Sequence, residues 1–171
     1  MASKGDEKVQ LRWNDIKIII SDFDGVMTDN RVLIDENGKE SVYVSRADGQ
    51  AIHILRSLGI ELVIMSSETN GVVGKRAQKL GVEYIQSIHD KAQCLKDYCE
   101  ERNIMLCNVA YIGNDVNDYE AMNLAGFKIA PQDAYKEVKQ IADYITKVNG
   151  GYGVIREVAS LIKICKEGMG I

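Results

Sequence analysis

The chain has 171 residues, 46% of them hydrophobic and 27% charged, with a formal net charge of −4 at pH 7. That length suits a single domain with room for a sizeable core, and the acidic balance excludes a general nucleic-acid binder, which needs a basic surface. No apolar run reaches the length of a membrane span, and Met1 to Asn14 has no hydrophobic signal core, so a cytoplasmic protein is expected. Cys94, Cys99, Cys107 and Cys165 form no Cys-x-x-Cys pair and have only two histidines for company. Reduced thiols at core or near-core positions are therefore expected, not a zinc site.

Residues 1–13 are polar and mixed in charge and read as an N-terminal arm, with 14–171 as one domain. The first structural signal is Ile18-Ile19-Ile20-Ser21, an apolar, β-branched run expected as a strand buried on both faces. It delivers Asp22 and Asp24 into the turn Gly25-Val26-Met27-Thr28-Asp29. Two short β-prone runs, Arg31–Ile34 and Ser41–Ser45, flank an Asn-Gly step and predict a hairpin too small for a core of its own. A helix is expected from Asp48 to Gly59, a strand over Ile60–Met65 ending in Ser66-Ser67-Glu68-Thr69-Asn70, and a helix over Val72–Leu80 closed by Gly81. A short strand over Val82–Ile85 and a helix over Lys91–Arg102 follow. The strand Val109–Ile112 then runs into Gly113-Asn114-Asp115-Val116-Asn117-Asp118. The remaining expectations are a helix to Gly126, a strand over Phe127–Ala130, a helix over Ala134–Ile141, a brief strand at Tyr144-Ile145, a turn over 149–153 and a last helix to Cys165. Alternation of strand and helix predicts an α/β fold, with a mostly parallel central sheet flanked by helices.

Ligands of open parallel sheets bind beyond the carboxyl ends of the strands, and polar residues gather at four such ends here. The set is Asp22 with Asp24, Ser66, Lys91 and Asn114-Asp115 with Asp118. Hard oxygen ligands in two acidic clusters suit Mg²⁺. A carboxylate such as Asp22 can attack phosphorus, and Asp24 can protonate the departing oxygen and later activate water. Ser66 can donate to a phosphoryl oxygen, and Lys91 offers positive charge where negative charge accumulates. Taken singly, Ser66 as a helix cap and Lys91 as a solvated charge are the more ordinary readings, while Asp115 and Asp118 suit a helix N-terminus. At matching strand ends the joint reading is a phosphoryl-transfer site.

These residues resemble the haloacid dehalogenase (HAD) superfamily: Asp22-Phe23-Asp24-Gly25-Val26-Met27-Thr28-Asp29, Ser66, Lys91 and Gly113 to Asp118 carry the likeness. The resemblance implies a Rossmann-like HAD fold, Asp22 as nucleophile, Asp24 as acid/base, and Mg²⁺ held by Asp22, the Asp24 carbonyl and the last acidic motif. Asn114 stands where many members have aspartate, so either Asn114 or Asp115 would be the ligand, with Asp118 behind them. The hairpin, Arg46-Ala47-Asp48-Gly49 and Gly150 to Val158 are similar to 3-deoxy-manno-octulosonate-8-phosphate phosphatases, to nine-carbon (sialic-acid type) ulosonate 9-phosphate phosphatases, and to the phosphatase-like domain of some acylneuraminate cytidylyltransferases. Ser66–Asn70 is closer to the nine-carbon branch. No cap domain interrupts the motifs, and the resemblance implies a homotetramer in which a neighbour's hairpin covers each site. Thr28, Arg46, Ser67 and Arg156 are the candidate substrate contacts, the arginines because they pair bidentately with carboxylates. The expected activity is Mg²⁺-dependent hydrolysis of a 3-deoxy-ulosonate phosphate through an aspartyl-phosphate. The alternatives are a non-catalytic oligomerisation module and a phosphatase of broad specificity.

Overall fold

The computed structural model describes residues 13–168. The elements in chain order begin with β1 (Ile18–Ser21), the hairpin strands β2 (Leu33–Ile34) and β3 (Glu40–Ser41), α1 (Ala47–Ser57), β4 (Glu61–Met65) and α2 (Val72–Leu80). They continue with β5 (Glu83–Ile85), α3 (Lys91–Glu101), β6 (Val109–Ile112), α4 (Tyr119–Leu124), β7 (Phe127–Ala130), α5 (Lys136–Ile141), β8 (Tyr144–Ile145) and α6 (Val154–Lys166). The sheet order is β5-β4-β1-β6-β7-β8, and every neighbouring pair is parallel.

The isoleucines of β1 lack polar alternation because both faces of the sheet are covered. Ile19 points with Leu62, Ile64, Ala110, Ile112 and Ile129 into the layer formed by α1, α2 and α6. Ile18 and Ile20 point with Val63, Met65, Val109 and Tyr111 toward α3, α4 and α5. The chain lays β4 and β5 on one side of β1 and then crosses to lay β6, β7 and β8 on the other. That reversal opens a crevice beyond the carboxyl ends of β1 and β6. Register brings the ends together: Ser21 pairs with Ile64 of β4 and Ile112 of β6, so Asp22 and Gly113 leave their strands at one level and Ser66 follows one residue later on β4.

Three expectations need correction. Residues 1–12 of the expected arm lie outside the described residues. Trp13, counted with them, is instead 1% exposed and makes edge-on ring contacts with Phe127 at 4.4 Å and Tyr144 at 5.4 Å. A single large aromatic among polar residues buries itself because its area outweighs their solvation. The hairpin strands are two residues each, with Leu33 opposite Ser41; Val42 and Val44 pack on the core while Val32, Leu33, Ile34 and Tyr43 remain exposed. Cys99 and Cys165 are buried thiols, but Cys107 is exposed in a 3₁₀ turn before β6.

Candidate active site

Asp22 follows the last residue of β1, and its N–H still donates to the Ile112 carbonyl at 2.9 Å, so the strand carries it to the crevice floor. Its side chain is 7% exposed, and its Oδ1 accepts from the Phe23 N–H at 2.7 Å and lies 2.9 Å from Lys91 Nζ. Lys91 opens α3 and is 3% exposed; its ammonium also meets Asp118 Oδ1 at 2.7 Å. Asp118 is fully buried. Its Oδ1 further accepts from the Tyr111 hydroxyl at 3.1 Å, and its Oδ2 from the Asn114 N–H at 3.0 Å. Two carboxyl groups and one ammonium thus share a buried pocket.

The titration behaviour follows. Burial first, then the nearby Asp118 charge, pushes the Asp22 carboxyl up to about 8, against the opposing pull of Lys91. Burial alone would lower the Lys91 ammonium, but Asp22 and Asp118 override it and hold its pKa above the ordinary value. Burial, followed by the Asp118 charge, keeps the Tyr111 hydroxyl far above its usual range, so it serves Asp118 as a donor. The pocket therefore favours an added cation, which would return Asp22 to its carboxylate form.

Asp24 sits on the rim, half-buried, with Oδ1 accepting from the Thr28 hydroxyl at 3.1 Å. Burial raises its pKa, the Thr28 bond opposes that, and the charges of Glu68 and Glu40 raise it further. A carboxyl whose proton is held more tightly than usual is suited to general acid work. Gly25 turns the chain at φ 75°, and a β-carbon there would overlap the Asn114 carboxamide, so only glycine admits Asn114 to this wall. Asn114 is 5% exposed and its Oδ1 is buried without a hydrogen-bond partner. An orphaned oxygen in an electronegative pocket is the donor that a divalent cation would use.

Not every expected residue meets the others. Thr28 is fully buried and its hydroxyl also accepts from the N–H groups of Gly25 and Asn30, both at 3.2 Å, so it braces the Asp24 loop instead of facing substrate. Asp115 caps the following 3₁₀ turn, accepting from the Val116 N–H at 2.6 Å, whereas the Asn114 oxygen has no partner. Ser66 is 2% exposed at the end of β4, and its Oγ accepts from the Glu68 N–H at 3.1 Å. Ser67, Arg46 and Arg156 are exposed. Sequence reasoning missed Tyr111, which looks like one more core aromatic in a strand; only its period-two position facing α3 hints at the Asp118 contact. It also missed Glu68, in the loop after β4, and Glu40, in β3, whose charges act on Asp24 from separate segments. Among the described residues no three histidine, cysteine or acidic side chains cluster as a metal cage.

The family model for haloacid dehalogenase-like hydrolases matches residues 67–158. The chain belongs to that family. It is 31% identical over 159 residues to the 3-deoxy-D-manno-octulosonate 8-phosphate phosphatase KdsC of Escherichia coli BL21-DE3, covering 92% of this chain and 85% of the relative. The Yersinia pestis KdsC is 30% identical, with 95% and 87% covered. Among solved structures, the Moraxella catarrhalis 3-deoxy-D-manno-octulosonate 8-phosphate phosphatase, in complex with magnesium, phosphate and KDO, superposes with a TM-score of 0.90 at 30% identity, covering 95% of this chain and 94% of that one. A HAD-family hydrolase from Streptomyces avermitilis is 45% identical with a TM-score of 0.84, over 86% and 84%. The Rossmann-like architecture expected from the motifs is thus the family's own, and the two-strand hairpin is the insertion between the first motif and α1.

Proposed function

We propose that this HAD-like hydrolase is a Mg²⁺-dependent phosphatase that removes phosphate from a 3-deoxy-ulosonate phosphate of eight or nine carbons. The observation that carries the reading is the buried Asp22–Lys91–Asp118 group beside Asp24, whose pKa burial raises, and the unpartnered Asn114 oxygen. The phosphatase activity of the relatives, and the magnesium, phosphate and sugar acid held by the Moraxella enzyme, support it.

Asp22, the Asp24 main-chain carbonyl and Asn114 Oδ1 would hold Mg²⁺, a set with few carboxylates that leaves places for water. The bound ion supplies positive charge that keeps Asp22 ionised and offsets charge on the transferring phosphoryl group. Asp22 attacks phosphorus as the bond to the sugar oxygen breaks, and Asp24 gives its proton to that oxygen. Asp24, now a carboxylate, takes a proton from water as the water oxygen attacks phosphorus; the bond to Asp22 breaks and inorganic phosphate leaves. Lys91 orients Asp22 and balances charge, Asp118 orients Lys91, and Ser66 would donate to a phosphoryl oxygen. Ser67, Arg46 and Arg156 would meet the sugar acid.

The eight-carbon substrate is supported by the KdsC relatives, the nine-carbon one by the Ser66–Asn70 stretch. The exposed apolar hairpin residues Val32, Leu33 and Ile34 support a homotetramer whose hairpins close neighbouring sites. Four free thiols suit the cytoplasm, and no described helix is long and apolar enough to cross a membrane. Phosphate release from eight- and nine-carbon ulosonate phosphates, with and without Mg²⁺, tests the reading. Asp22→Asn should lower turnover by at least about 10³-fold while keeping the fold; retained turnover would remove Asp22 as the nucleophile.

A further inference from the structure

Two of the groups assigned to Mg²⁺ stand on walls that a ring of contacts joins outside the crevice. One wall is the Asp24–Gly25 peptide, which carries the Asp24 carbonyl, and the other is Asn114. The walls touch directly, since a β-carbon on Gly25 would overlap the Asn114 carboxamide. From Asn114 the ring runs to the loop after β7, where the Tyr135 N–H donates to the Asn114 main-chain carbonyl at 2.9 Å. That loop is a tight turn, closed by the Ala134 N–H on the Pro131 carbonyl at 3.1 Å, and Ala134 is buried. From the same turn Asp133 reaches the glycine turn before α6, its Oδ1 accepting from the Gly150 N–H at 2.8 Å. Gly150 completes the ring. A β-carbon on it would overlap the Gly25 carbonyl oxygen, and the next N–H, of Gly151, donates to the Val26 carbonyl at 2.9 Å.

The base of the glycine turn is held without Asp133. The Gln132 N–H donates to the Val148 carbonyl at 3.1 Å, and Glu157 of α6 accepts from the N–H groups of Lys147 at 2.8 Å and Val148 at 3.2 Å. The tip of the turn is different: it lies against Gly25 on one side and is bound by Asp133 on the other. Asp133 is exposed, so the core does not depend on its side chain. It is the link in the ring that a substitution cuts without altering either wall.

We propose that Asp133 is a positioning residue for the metal: by tying the Gly150 turn to the loop that holds Asn114, it sets the spacing between the Asn114 oxygen and the Asp24 carbonyl. The proposal rests on the reading of those two oxygens as Mg²⁺ ligands. Mg²⁺ demands near-ideal octahedral geometry, whereas Ca²⁺ accepts irregular cages, so a change in spacing penalises Mg²⁺ first. Groups that orient ligands from outside the coordination sphere commonly change metal affinity by about 10–100-fold. Asp133, one hydrogen bond removed from each wall, belongs at the lower end of that range.

Calorimetric titration with Mg²⁺ and with Ca²⁺, in the absence of substrate, compares the parent with Asp133→Ala, Asp133→Asn and Asn114→Ala. Asp133→Ala should raise Kd for Mg²⁺ about tenfold and Kd for Ca²⁺ less than about threefold. Asp133→Asn keeps an acceptor oxygen and should stay within about threefold of the parent for both ions. A purely structural Asp133 would lower the melting temperature of Asp133→Ala and leave its Mg²⁺ affinity at the parent's value; that result, or equal losses for the two ions, overturns the proposal. Asn114→Ala that binds Mg²⁺ as the parent does sinks the ligand reading itself, and the positioning role with it. Hydrogen exchange in the parent decides the matter should Asp133→Ala not fold. By linkage, a bond that raises Mg²⁺ affinity about tenfold is strengthened by the ion to the same degree. Exchange of the Gly150 amide should therefore slow by about that factor when Mg²⁺ is added, and exchange of the Gly38 amide, bonded to the Asp35 carbonyl at the hairpin tip, should not. A Gly150 amide indifferent to Mg²⁺ removes the proposal.

Discussion

Replacing Lys91 with methionine removes the one cation between two buried carboxylates. Its ammonium lies 2.9 Å from Asp22 and 2.7 Å from Asp118, with side chains 1%, 7% and 0% exposed respectively. Breaking a buried ion pair by deleting one member costs about 3–5 kcal/mol, because the other charge stays behind without compensation. In a chain of this size each kcal/mol moves the melting temperature by about 2–4 °C, so a loss of roughly 6–20 °C is expected. The lower end applies near neutral pH, where Asp22, already pushed up to about 8, can take a proton and relieve the repulsion. The loss should grow toward pH 9, where it cannot. Lys91 itself, with its pKa held above the usual lysine value, is charged across this range, so its contribution to the parent stays intact. Melting followed by circular dichroism at pH 6, 7.5 and 9, without divalent ions, measures the effect. Lys91→Met/Asp118→Asn removes one charge of each sign and should recover most of the lost stability. A single variant that melts within 2 °C of the parent at pH 9, or a double variant no better than the single one, would refute the ion-pair reasoning.

Magnesium should raise the melting temperature more at pH 8.5 than at pH 6, since the ion competes with a proton whose pKa on Asp22 is about 8. In linkage terms, a carboxyl raised in the folded state costs stability as pH climbs from the ordinary carboxyl range through about 8, and the cation removes that cost. A pH-independent shift would place the ion elsewhere. Asn114→Asp should tighten Mg²⁺ binding by about tenfold in calorimetry, as an added anionic ligand does. Unchanged affinity there, with loss of binding in Asp115→Asn, would return the ligand role to Asp115.

Local signals account for much of the molecule. The expected spans Val72–Leu80, Val109–Ile112 and Phe127–Ala130 are the observed ones, and Gly81 ends α2 at φ 66°. These elements were legible because apolar period, glycine stops and strand length act over a few neighbouring residues. Trp13 reads as part of a polar arm for the opposite reason: its neighbours in sequence are polar, and its partners Phe127 and Tyr144 lie far along the chain. In sequence the Thr28 hydroxyl beside two aspartates looks free, whereas the turn folds it inward onto Asp24.

By itself the sequence determined the parallel α/β sheet, the Asp22–Asp24 turn and the presence of a lysine and an acidic loop at other strand ends. These follow from patterns each segment carries alone. Only the tertiary structure decided that Asp118 and Tyr111 lock Lys91 beside Asp22, and that Asp115 caps a turn while the Asn114 oxygen is buried without a partner. The reason is physical: charge and hydrogen-bond partners in a dry crevice are supplied by whatever the packed strands bring within 3 Å, and that depends on sheet order and register, which no short stretch contains.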